Sequence, residues 1–300
     1  MALFDAYLMV DWSAANVPRR GRDSIWLGLT MRLASGRLRL TRIENPVTRA
    51  QATERIVVTI AGLVADGKRV LAGFDFPFGY PEGTARRLGL PGLAWRHMWQ
   101  ELDHAIEDDE ANRNNRFDVA ERLNRRLSGE AFPFWGLVRE ERRRYLMRRD
   151  RRPHGPGDLA ERRLADRRLP SVQPVWKLAG AGSVGGQVLV GIPRVWQIRR
   201  DPRLAIDCHI WPFETGLGDD PRARVILAEV YPSIVAPRPL AGRPKDAGQV
   251  AAVGRHLAEI DRDGGLDRLL YADPGLTAVE RAHVIGEEAW ILGVTEGPRR

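Results

Sequence analysis

The 300-residue sequence predicts an α/β protein: a mixed five-stranded sheet with flanking helices and a large, mostly helical insertion. Three observations lead there. Short apolar runs at Tyr7 to Val10, Val70 to Phe74 and Val225 to Val230 read as strands, and stretches of helical spacing lie between them. An acidic residue sits at the end of each apolar stretch: Asp11 after Val10, Asp75 after Phe74 and Glu229 after Ala228. Neighbouring parallel strands would carry those carboxylates to one sheet edge, where open α/β folds hold their ligands.

The opening reads as an antiparallel meander, with strands at Tyr7 to Val10, Ser24 to Leu33 and Arg37 to Ile43. Asn45-Pro46 breaks it, and Thr48 is placed to cap a helix whose apolar positions Ile56, Val57, Ile60, Leu63 and Val64 recur at helical intervals. Asp66-Gly67 ends that helix, and Arg69 to Phe74 is the next strand. Three strands, a helix and a strand are the opening order of the ribonuclease H-like fold. Its right-handed crossover lays the fourth strand parallel beside the first, so Asp11 is expected next to Asp75.

Residues 1–80 and 222–300 are therefore assigned to the sheet-bearing core and 81–221 to an arginine-rich helical insertion. Inside the insertion, helices are expected around Trp95 to Ile106 and Asn115 to Leu127, with a break at Gly155-Pro156-Gly157. Beyond it, Lys245-Asp246 opens a helix through Val250, Val253, Leu257 and Ile260. A last helix is expected over Thr277 to Trp290, because Thr277 and Glu280 have the spacing of a capping box.

A hydrophobic share of 43% and a charged share of 29% are those of an ordinary soluble protein. No apolar run is long enough to span a membrane, and Met1 to Asp5 lacks the features of a signal peptide, so cytoplasmic residence is the expectation. The lone Cys208 excludes an internal disulfide and a thiolate zinc site. Adjacent Cys208 and His209 point to opposite faces of a strand, which disfavours a nucleophile and base pair. Net charge is +8, and Arg139 to Arg168 holds twelve arginines against six acids. That surplus suits a nucleic-acid or other polyanion partner, against the plainer reading of a solvated helical arm with Glu–Arg pairs.

Unpaired carboxylates at one edge are costly unless a hard cation neutralises them, so Asp11, Asp75 and Glu229 are the candidate ligands of Mg²⁺ or Mn²⁺. Ser13 and Asn16 could orient a phosphate or water. Lys245-Asp246 and Glu287-Glu288 compete for the remaining corner, Lys245 as a phosphate contact and Glu287 or Glu288 as a further acid. Arg113 and Arg116 could contact phosphates, and Glu214 is a possible extra acid. Gly180-Ala181-Gly182-Ser183-Val184-Gly185-Gly186 matches a dinucleotide glycine pattern, but it lacks a good entering strand and Gly191-Ile192-Pro193 is expected to end the element early. A turn approaching a phosphate, or a tight packing turn, remains for it.

Val10-Asp11-Trp12-Ser13, Phe74-Asp75-Phe76-Pro77-Phe78-Gly79, Glu229-Val230-Tyr231-Pro232 and Lys245-Asp246 resemble the motifs of the domain of unknown function 429 family, described as predicted ribonuclease H-like nucleases. Pro133-Phe134-Trp135-Gly136, Gly180 to Gly185, Trp211 to Thr215 and Glu287 to Gly293 resemble a bacterial subgroup whose members carry cobalamin or molybdopterin-guanine-dinucleotide biosynthesis labels. No motif here explains those labels. The family's last acid is often an aspartate, where this chain has Glu287-Glu288. The expectation is a metal-dependent nuclease acting through metal-activated water. The alternatives are a non-catalytic nucleic-acid-binding or scaffold protein of the same fold, and a small-metabolite phosphotransferase.

Overall fold

The computed structural model describes residues 2–137, 142–149, 151–169 and 171–295. Arg139, where the arginine-rich stretch begins, lies outside them. The meander forms as β1 (Ala6–Asp11), β2 (Trp26–Arg32) and β3 (Leu38–Glu44), followed by α1 (Arg49–Ala65) and β4 (Val70–Phe74). Thr48 caps α1 through its hydroxyl, which accepts from the Gln51 N–H. Three helices follow: α2 (Thr84–Arg87), α3 (Ala94–Ala105) and α4 (Arg116–Leu127). After them come α5 (Gly185–Arg200), β5 (Cys208–Ile210), β6 (Val225–Val230), α6 (Lys245–Arg262), α7 (Leu266–Leu270), α8 (Ala278–His283) and β7 (Ile291–Leu292).

The sheet has seven strands rather than the expected five, in the order β3-β2-β1-β4-β6-β5 with β7 also on β6. β1 pairs antiparallel with β2 and parallel with β4, and β4 pairs parallel with β6. The two extra strands are too short to stand out as apolar runs. They share one edge of β6, β5 lying along Val225 to Leu227 and β7 along Glu229 and Val230.

β1, β4 and β6 are buried along nearly their whole length, as central strands covered on both faces must be. Their alternation sorts the core into two layers. Ala6, Leu8, Val10, Ala72, Phe74, Val225 and Leu227 pack with Ile56, Val57 and Ile60 of α1. Tyr7, Met9, Leu71, Ile226 and Ala228 pack on the opposite face with Val250, Val253 and Leu257 of α6. That second contact is close: a Cβ on Gly28 would stand 2.9 Å from Cγ2 of Val250.

The segment 81–221 does not stand apart as a helical insertion. Its β5 extends the sheet, and α5 packs against α1 and α3. Nor does Pro193 end α5, which runs on to Arg200. A proline inside a helix costs about 3 kcal/mol. Here the turns on both sides are buried, with Leu189, Val190, Ile192, Val195 and Trp196 in the core, so packing holds the helix together. The described arginine-rich residues form no α-helix; Asp166–Arg168 is a single 3-10 turn. The capping box at Thr277 and Glu280 is present, but α8 ends at His283 and passes into a π-helical turn, Val284–Glu288. No helix among the described residues is long and apolar enough to cross a membrane.

The close approach of α6 to β2 has a measurable consequence. Gly28→Ala should lower the stability to urea by about 1–3 kcal/mol through overpacking, with partial recovery when Val250→Ala is added. An unchanged midpoint for Gly28→Ala would contradict this packing.

Candidate active site

Register brings Asp11 and Asp75 level. Val10 pairs with Phe74, so the next residues of β1 and of the chain leaving β4 are neighbours. Both are in phase with side chains of the α6 face: Asp11 with Tyr7 and Met9, Asp75 with Leu71. The Trp12 N–H donates to Oδ1 of Asp75 at 2.7 Å, and the Trp12 carbonyl accepts from Nε2 of Gln187 at 2.6 Å. These bonds hold the chain leaving β1 between the Asp75 carboxylate and the first turn of α5.

Burial raises the pKa of Asp11 well above the usual carboxylate range, and the neighbouring Asp75 charge raises it further. Asp75 is also pushed up, first by burial, while its bonds to Asp11 and to the Trp12 amide hold it down. Asp246 and Asp23 add to the negative field on Asp11. Asp246, in the first turn of α6, accepts from the Asp23 N–H at 2.9 Å. The helix that covers this sheet face therefore supplies the third acid.

Glu229 does not join the pair as expected. It is level with Phe74, one residue short of Asp75, and in phase with Val225 and Leu227 of the α1 face. Glu229 borders the same cleft, but its carboxylate is taken by Arg163, with Nη2 at 2.6 Å from Oε1 and Nη1 at 2.7 Å from Oε2. The Phe78 N–H also donates to Oε2 at 2.9 Å. Arg163 uses its remaining N–H groups on Asp166 and on the Glu288 carbonyl. Arg163 and Asp166 are fully buried. Burial raises the Glu229 pKa, and the Arg163 charge opposes that rise.

Glu287 and Glu288 are likewise spent elsewhere. Glu287 accepts from the N–H groups of Gly83 and Ala85 at the start of α2, at 2.8 and 2.6 Å. Glu288 accepts from those of Glu82 and Leu164, at 2.8 and 2.6 Å. They fasten backbone from two distant segments and do not line the cleft.

The phosphate-contact expectations divide in the same way. Ser13 lines the cleft, its hydroxyl donating to the Asp23 carbonyl and accepting from the Ala15 N–H. Asn16 instead binds the buried Arg116, which also reaches Asn114 at 2.8 Å. Arg113 pairs with Asp109 at 2.7 Å on the surface, and Lys245 is exposed at the start of α6. Asn16, Arg113, Arg116 and Lys245 do not line the cleft. Glu214 is bound by Arg199, and burial pushes the Cys208 thiol pKa upward, away from nucleophilic use.

The cleft itself has a volume of about 530 Å³. Asp11, Asp75, Asp23 and Asp246 line one part of it, and the turn from Gly180 to Val184 with Gln187 lines another. The glycine-rich segment is thus a cleft wall leading into α5. Sequence reasoning missed Asp23 and Gln187, which lie in no acidic or apolar pattern. Among the described residues no group of three or more histidine, cysteine, aspartate or glutamate side chains is arranged to hold a metal ion. What remains is a two-carboxylate pair, a donor set that suits Mg²⁺, which commonly takes one or two carboxylates and fills its octahedron with waters and substrate oxygens. Comparison with family models, curated proteins and solved structures found no match.

The raised Asp11 pKa means that the folded chain holds this proton more tightly than the unfolded chain. Its contribution to stability is therefore full at low pH and is lost as pH rises through the folded pKa. In metal-free buffer, Asp11→Asn should gain stability relative to the wild type between pH 5 and 8. The gain should be about 1.4 kcal/mol per pH unit wherever the folded chain keeps the proton and the unfolded chain has lost it. A stability difference that stays constant over that range would contradict a raised Asp11 pKa.

Proposed function

We propose that the cleft is the active site of a metal-dependent phosphodiester hydrolase on a ribonuclease H-like sheet. The observation that carries this reading is the adjacent, partly buried Asp11 and Asp75 at the carboxyl ends of β1 and β4, facing an open cleft, with burial raising both pKa values and the Asp75 charge raising that of Asp11 further. The strand order supports it, with an antiparallel β3-β2-β1 half joined to parallel β4 and β6.

Asp11 and Asp75 would hold Mg²⁺ or Mn²⁺. When bound, such an ion neutralises phosphate charge and lowers the pKa of a coordinated water. The chain's own part is to present both carboxylates ionised and oriented. The Trp12 amide fixes Asp75, Gln187 fixes the Trp12 carbonyl, and Asp246 adds its negative charge to the field on the pair from α6. Asp11 has to give up its proton as the cation enters, so cation affinity should rise with pH.

A nucleic-acid-binding scaffold would depend on the arginine-rich stretch to hold its partner. Arg143, Arg151, Arg152, Arg163 and Arg168 of that stretch are engaged in ion pairs with acids of this chain, so part of its positive charge is already answered within the chain.

Calorimetric titration with Mn²⁺ and hydrolysis of bis(p-nitrophenyl) phosphate test the proposal together. The wild type should bind Mn²⁺ more tightly at pH 8 than at pH 6 and should hydrolyse the ester only with metal. Asp11→Asn should lower turnover by about a hundredfold or more, the scale of losing an electrostatic catalytic group. Equal turnover in wild type and Asp11→Asn would overturn it.

A further inference from the structure

We infer that the cleft takes a small phosphodiester of a neutral ring, a nucleoside or a sugar, rather than a length of polynucleotide. The inference rests on the phosphodiester hydrolase reading above and narrows its substrate. Its ground is the chemistry of the walls. Proteins that bind polynucleotides hold the repeating phosphates largely with arginine and lysine. Among the described residues lining this cleft there is no arginine and no lysine, and the lining acids are Asp11, Asp23, Asp75, Glu229 and Asp246. Glu229 is answered by the buried Arg163, and Asp23 by Arg19 at 3.4 Å on the surface. None of the described arginines between 142 and 168 lines the cleft.

A chain of phosphates would thus enter a negative field with no cationic side chain in the lining to receive it. A single phosphate meets that difficulty at one point, where the cation held by Asp11 and Asp75 offsets it. The rest of the lining suits an uncharged partner. Gln173, Gln187, Gln249, Ser183 and Ser233 offer amides and hydroxyls, and Tyr231 is a partly exposed aromatic residue among them. A volume of about 530 Å³ is ample for a nucleotide or a sugar phosphate.

Gln187 is the side chain that should read the ring. Its Nε2 is committed to the Trp12 carbonyl at 2.6 Å. Its Oε1 has no partner among the described residues and is left as an acceptor on the cleft wall. A donor on the ligand ring, a base N–H or a sugar hydroxyl, would satisfy it.

Calorimetry on the full chain with millimolar Mg²⁺ tests this with three probes: thymidine 5′-monophosphate and ribose 5-phosphate, the monoesters that cleavage of such diesters leaves, and a long single-stranded oligonucleotide. At least one small probe should bind, the better one telling nucleoside from sugar, with affinity nearly unchanged as salt rises. Gln187→Leu should weaken that binding about tenfold, the usual effect of losing one ligand hydrogen bond, while circular dichroism stays that of the wild type. Tighter binding of the oligonucleotide, falling more than about tenfold as salt rises, would overturn the inference. So would small-probe binding that a folded Gln187→Leu leaves unaltered, or no binding of either small probe. Binding is read without turnover, so small-probe binding by a protein that hydrolyses no phosphoester keeps the ligand class and overturns the hydrolase reading instead.

Discussion

Arg163 reaches Glu229, Asp166 and the Glu288 carbonyl with all five of its N–H groups, out of contact with solvent. Each buried charge costs several kcal/mol in lost hydration, which is offset only where every donor and acceptor is matched. The match here is made between parts of the chain far apart in sequence: the arginine-rich stretch, strand β6 and the turn before β7. Losing one partner of such a group typically costs about 3–5 kcal/mol, because the others stay buried and unpaired. The clasp therefore holds the 81–221 segment onto the sheet, and it decides which strand-end acid is withdrawn from the cleft.

With Glu229 neutralised on the α1 face, the negative charge on the α6 face belongs to Asp11, Asp75, Asp246 and Asp23. The two sides of the sheet thus handle their acids differently. On one, a guanidinium from the same chain supplies the counter-charge. On the other, the carboxyls face an open cleft, and the pKa of the Asp11 and Asp75 pair rises in response. An arrangement that raises carboxyl pKa values inside a cleft is the kind found where a protein receives a cation or a proton.

Much of the fold is legible in the sequence because it rests on local chemistry. Thr48 and Thr277 mark helix starts through the hydrogen bonds they do make, and the apolar runs of β1, β4 and β6 give strands within a residue or two. The Asp11 and Asp75 pair follows from strand order. Glu229 is misplaced by its strand-end position although a better signal is present: two residues per pleat put it in step with Val225 and Leu227, not with the α6 face. Glu287 and Glu288 cannot be read in the same way, since their partners at residues 82 to 85 and 164 are more than a hundred positions away. A local rule about proline cuts α5 short at Pro193 because it ignores the burial that overrides it. β5 and β7, of three and two residues, carry too little pattern to be seen.

Crystals grown with Mn²⁺ and measured for anomalous scattering would show most directly whether Asp11 and Asp75, and not Glu229, Glu287 or Glu288, form the cation-receiving pair. An anomalous peak bonded to the carboxylates of Asp11 and Asp75 is expected, with Arg163 still paired to Glu229. A peak at Glu229 with that pair broken, or Mn²⁺ bound at Glu287 or Glu288 and not at Asp11, would contradict it.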